Sequence, residues 1–141
     1  MRQLARLLAF AACCALPASL QAAASSGQEF QLDATHRQAL VRLPLPSGAD
    51  AAAARLVVAL NSVDAPEGGF GYIRLTALCK DDREAWHAAI SPYSPDRDGR
   101  FLHGLRNPEA EACTPDRLQL QLIGRGDSEQ LPSVRGYVTV E

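Results

Sequence analysis

Gly71-Tyr72-Ile73-Arg74-Leu75-Thr76-Ala77-Leu78-Cys79 is the stretch on which the fold turns. Successive side chains of an extended chain point to opposite faces. Ile73, Leu75, Ala77 and Cys79 therefore share one face, and Tyr72, Arg74, Thr76 and Leu78 share the other. That period of two reads as a strand with a buried side. It puts Cys79 on the face of Ile73 and Leu75, where a disulfide can cross to a neighbouring element.

The same period recurs outward from this strand. Leu118, Leu120 and Leu122 alternate with Gln119 and Gln121, the cleanest half-buried pattern in the chain. Val134, Val138 and Val140 alternate in the last segment, as do Phe30 and Leu32 in the first and Val41, Leu43 and Leu45 in the second. Leu56-Val57-Val58-Ala59-Leu60 is a continuous β-rich run and reads as a buried strand, while 51–54 are alanine-rich enough to begin a helix. Between these runs stand Pro46-Ser47-Gly48, Pro66-Glu67-Gly68-Gly69 and Asp98-Gly99, each a turn signal. Residues 100–105 form a short strand, and the loop from Asn107-Pro108 to Pro115 carries Cys113. Residues 85–90 admit two readings. Asp81 with Glu84 matches a capping box for a short helix, but Trp86, Ala88 and Ile90 also alternate as a strand, which is favoured. About seven or eight short strands separated by turns predict an all-β fold, a small antiparallel β-sandwich of the Ig-like or transthyretin-like kind.

Asp96-Arg97-Asp98-Gly99-Arg100-Phe101, followed by Gly104-Leu105, resembles the turn of carboxypeptidase-regulatory-like and transthyretin-like secreted β-sandwich domains. In those domains Asp and Gly shape a hairpin, Phe enters the core and Gly-Leu closes the strand. Some carry a cysteine on the strand before and another ahead of the strand after, as Cys79 and Cys113 stand here. The resemblance spans about residues 71–123 and implies a fold, not an activity.

The N-terminus has the three parts of a secretory signal. Arg2 and Arg6 precede an uncharged apolar stretch ending at Pro17, and Ala22-Ala23-Ala24 supplies small residues for cleavage. Residues 1–24 are therefore read as a signal peptide, and 25–141 as one domain that is periplasmic or secreted. Phe10-Ala11-Ala12-Cys13 loosely matches a lipoprotein signal, but the apolar run before Cys13 is short and Phe replaces the usual aliphatic residue. A lipid anchor at Cys13 is accordingly set aside. No apolar stretch reaches the ~20 residues of a spanning helix. The chain carries a formal charge of −2 and no basic stripe, which argues against nucleic acid and anionic membranes as partners. Lys80 is the one lysine among 14 basic residues, an arginine bias that points to a bacterial, GC-rich genome. With Cys13 and Cys14 removed in the signal peptide, Cys79 and Cys113 remain and are read as a disulfide. Closing a loop of this size stabilises a fold by roughly 3–4 kcal/mol.

Motifs for chemistry are sparse. Residues 94–99 open like a calcium loop, but Leu105 stands where the bidentate acid belongs, so a hairpin turn is the better reading. Gly124-Arg125-Gly126-Asp127-Ser128 resembles the cell-attachment tripeptide of fibronectin-type adhesins, but a turn between two strands is the favoured reading. His36, His87 and His103 lack paired-ligand spacing, although His87 and His103 could meet across neighbouring strands. There is no nucleophile elbow, zinc-protease helix or phosphate loop, so neither catalytic nor metal or cofactor residues are assigned, and no enzyme is expected. Trp86 and Tyr93 offer apolar rings with polar handles suited to a protein or sugar partner, against the plainer reading of Trp86 as core. Asp96 and Asp98 complete a candidate binding turn. The expected role is a non-enzymatic binding domain that contacts a protein. Alternatives are a periplasmic inhibitor or immunity protein inserting its acidic turn into a basic cleft, or a carbohydrate-binding or metal-dependent module.

Overall fold

The computed structural model describes residues 27–44, 53–67, 71–93, 99–105, 113–124 and 130–141. The signal segment with Cys13, the turn residues Asp96 and Asp98, and the Arg125-Gly126-Asp127 tripeptide lie outside these. Eight strands follow in chain order: β1 (Gln28–Leu32), β2 (Gln38–Arg42), β3 (Arg55–Asp64), β4 (Gly71–Leu78), β5 (Glu84–Ile90), β6 (Arg100–Gly104), β7 (Arg117–Gly124) and β8 (Ser133–Val140). They pair antiparallel in two four-stranded sheets. Sheet A has the order β1-β8-β3-β6 and sheet B the order β2-β7-β4-β5. Among the described residues there is no helix. The all-β sandwich expected from the alternation is the fold observed.

The alternation explains how the layers meet. Ile73, Leu75 and Ala77 of β4 and Leu118, Leu120 and Leu122 of β7 are buried, and Leu75 lies opposite Leu120. Leu56 and Val58 of β3, Val134, Val138 and Val140 of β8, and Phe30 and Leu32 of β1 join them in one core. Each buried aliphatic side chain contributes roughly 1.5–3 kcal/mol relative to exposure. Residues 84–90 are β5, the favoured strand reading, and the residues before them form a hairpin loop rather than a helix cap. Asp82 N–H donates to Cys79 C=O (3.0 Å) and Cys79 N–H donates to Arg83 C=O (2.9 Å). Asp82 sits in the left-handed region at φ 63°. These are the marks of a three-residue hairpin loop, a conformation Asp tolerates better than most residues.

Cys79 and Cys113 are bonded, with Cα atoms 6.1 Å apart. The link ties the ends of two neighbours in sheet B, β4 and β7, rather than one sheet to the other. Arg117 reinforces it, donating to Asp82 Oδ1 at 2.7 Å, to Asp116 Oδ1 at 3.2 Å and to the Cys79 carbonyl. Its carboxylate partners, Asp82 first, raise the pKa of its guanidinium.

The β1–β2 turn is built on one carboxylate. Asp33 Oδ1 accepts from the Thr35 hydroxyl (2.7 Å), Thr35 N–H (2.8 Å) and His36 N–H (2.7 Å). The Thr35 hydroxyl, then the backbone amides, hold this carboxyl far below its ordinary value of 3.8. A depressed carboxylate stabilises the fold above its unfolded pKa and loses that contribution as pH falls toward the folded one. Asp33→Ala is expected to lower the melting temperature at pH 7. The gap to the native chain should narrow below pH 3.8, as thermal melts across pH will show.

Gly136 of β8 faces inward, paired with Phe30, beside a bulge where the β3–β8 register shifts between Leu60 and Ser62. A Cβ there would lie 2.1 Å from the Ala59 carbonyl oxygen and 2.9 Å from Phe30 Cζ. The Phe30 ring takes the room a side chain would need. Gly136→Ala is expected to destabilise the domain by about 1–3 kcal/mol or more, since a backbone carbonyl has to move; urea titration measures it.

Candidate functional site

β5 is the outer strand of sheet B and β6 the outer strand of sheet A, so the two border the same open side of the sandwich. Trp86 points inward from β5, opposite Ala77 of β4. On a central strand it would end in the core. On an edge strand its long ring reaches past the aliphatic layer to the other sheet. Nε1–H donates to the Leu105 carbonyl at 2.9 Å, and the ring stacks on His103 of β6 with centroids 5.7 Å apart and 28° between planes. Trp86 is half-buried and packs against the core on its inner side. It is therefore a bolt between sheets, neither a sealed core residue nor an open platform.

Tyr93 follows β5 after the buried Pro92 and is 40% exposed. Its N–H donates to Ser91 Oγ at 3.4 Å, and desolvation raises its phenol above the ordinary 10.0. Asp96 and Asp98 fall between Tyr93 and Gly99, outside the described residues. Gly99 has φ 75°, the left-handed conformation an Asp-Gly turn needs, and its carbonyl accepts from Leu60 N–H at 2.8 Å. His87 and His103 do not meet. His87 lies on the outer face of sheet B with its Nδ1 2.5 Å from Glu84 Oε1, while His103 is in the other sheet against Trp86.

The backbone of β6 is the feature local sequence reading missed. Leu60 N–H donates to Gly99 C=O and Leu105 N–H to Ala54 C=O (3.1 Å), within a β3–β6 register that pairs Val57 with Leu102. In an antiparallel ladder alternate residues bond to the same neighbour. Residues 99, 101, 103 and 105 thus turn toward β3, and Arg100, Leu102 and Gly104 turn their N–H and C=O groups away from it. No strand lies beside those groups among the described residues. Leu102 is 46% exposed. The Arg100 guanidinium is drawn back across the sheet to Glu141 Oε1 at 2.6 Å.

The other edges are blunted only in places, and Gln38 and the 59% exposed Leu40 of β2 also turn backbone groups away from β7. On β2 the outward Arg42 N–H is capped by Gln28 Oε1 at 2.8 Å, a side chain from β1. β5 carries a register shift near Leu78 and Glu84. β6 has no bulge, proline or lysine, the usual devices that blunt an edge. The outer face of sheet B offers a shallow depression around Leu40, Leu78, Asp82 and Arg117, and a second beside Tyr72, Arg74 and His87. For metals, the described residues bring together Cys79, Asp81 and Cys113, but the sulfurs are bonded to each other and Asp81 holds Arg83 at 2.6 Å. Those sulfurs therefore offer no thiolate ligands.

Compared with known proteins, the chain matches no family model, and no curated protein or solved structure is significantly similar to it. The transthyretin-like resemblance rests on the residues that suggested it.

Trp86→Phe keeps a ring against His103 and removes the donor to Leu105. It is expected to cost about 1–3 kcal/mol by leaving a buried carbonyl unsatisfied, read from denaturation followed by circular dichroism.

Proposed function

We propose that this protein is an exported, non-enzymatic binding domain that takes a protein partner by strand addition along β6. The observation that carries the reading is the row of outward N–H and C=O groups at Arg100, Leu102 and Gly104, with exposed Leu102 between them. An extended segment laid there forms main-chain hydrogen bonds worth about 0.5–1.5 kcal/mol each, and the side chains flanking them provide selectivity. The Trp86–His103 stack supports the edge from behind. Tyr93 stands near the start of the same connection and offers a ring to a partner that extends beyond the strand.

Leu102→Pro tests this. Proline lacks the outward N–H and leaves the β3 ladder untouched, since Leu102 does not bond to β3, and edge positions accept proline. The tagged domain with its disulfide formed is expected to capture a stoichiometric protein from its own extracytoplasmic extract. The Leu102→Pro form should melt within a few degrees of the native chain and lose that partner. Equal capture by both forms would refute strand addition, and empty capture by both would count against a protein partner from the same cell.

A further inference from the structure

We infer that β6 pairs with β6 of a second copy of this chain, antiparallel about a two-fold axis through Leu102, an inference that rests on the strand-addition reading. The symmetry follows from which groups face outward. With the axis at Leu102, Arg100 of one copy opposes Gly104 of the other, Leu102 opposes Leu102, and all three outward residues of each strand donate and accept. An axis at Phe101 or His103 engages fewer of them, because Gly104 or Arg100 then falls opposite a position outside β6. An axis at Arg100 sets two guanidinium groups face to face. The Leu102 register is the one that uses the whole edge without opposing like charges.

Side chains fit the same register. Arg100 is already committed to Glu141 within its own chain, and the residue it would face has no side chain. Two Leu102 side chains, each 46% exposed in the single copy, would cover one another on the outer face of the joined sheet. An isologous contact of this kind is self-limiting, since each copy has one β6 and pairing consumes it. Sheet A, with the order β1-β8-β3-β6, would become the half of a continuous eight-stranded sheet. A five-residue ribbon buries much less than the ~1,200–2,000 Å² of a standard interface, so the dimer is weak and concentration-dependent.

A charge exchange at residue 102 distinguishes this pairing from any other. Like charges directly opposite on paired strands repel, and opposite charges attract. Leu102→Lys and Leu102→Glu are prepared separately, both at an exposed position, with circular dichroism melts as the folding control. Sedimentation velocity is run up to about 1 mM chain, where even millimolar dissociation constants register. The native chain is expected to shift from monomer toward dimer with concentration. Each variant alone should remain monomeric, and an equimolar mixture of the two at low salt should recover the dimer. A native chain that stays monomeric throughout overturns self-pairing, and so does a dimer that both variants retain or a mixture that stays monomeric. If the native chain is monomeric yet captures another protein that Leu102→Pro loses, self-pairing fails while strand addition stands.

Discussion

Backbone amides withdrawn from water must find acceptors on both sides of a strand, and among the described residues only four strands can do so with other strands. β8 and β3 are the inner pair of sheet A, and β7 and β4 the inner pair of sheet B. The four outer strands each leave one row of groups to be satisfied otherwise. Much of the detail in this domain answers that demand. Gln28 reaches from β1 to cap Arg42 of β2, closing one side of the sandwich with a side-chain oxygen. On the opposite side Trp86 closes the gap between sheets with a ring and one hydrogen bond to Leu105. It does not reach the outer row of β6.

Packing follows from the same ladder. Because β4 and β7 are hydrogen-bonded along their whole length, from Gly71 opposite Gly124 to Leu78 opposite Arg117, their inward leucines are held in fixed rows. Sheet A has a local irregularity, the bulge after Leu60, and Gly136 with the Phe30 ring above it fills that place in the core. Cross-links sit at the far end of β4 and β7. The disulfide, the left-handed Asp82 and the three bonds of Arg117 converge on one hairpin loop, so the exit of β4 and the entry of β7 behave as a unit.

The strands were legible where their period was. Residues 71–79, 118–122 and 134–140 carry alternation that only a half-buried strand satisfies, and the sheets use the faces it marks. Asp81 and Glu84 match a helix cap by spacing, while the alternation of Trp86, Ala88 and Ile90 favours the strand, which is what forms after a tight hairpin. The left-handed backbone at Asp82 that separates them leaves no trace in composition. The alternation of Trp86 with Ala88 and Ile90 marks the inner side of its strand, but its role depends on β5 being outermost, a fact of strand order. Strand order also separates His87 from His103 and places β6 at the edge of sheet A. Order between strands is set by pairings far apart in the sequence, and so the fold class was readable while the candidate edge was not.

That order has a consequence in time. β8, the last strand of the chain, lies between β1 and β3, so sheet A has no centre until the C-terminal residues arrive. β1, the first strand, must wait through the entire length of the domain for the neighbour it pairs with from Gln28 opposite Val138 to Leu32 opposite Val134. Pairings of such separation are slow to form, because the intervening chain has to be ordered first. A chain delivered from its N-terminus can therefore complete sheet B, whose last strand is β7, but not sheet A. The two layers close on one core only once β8 has joined them.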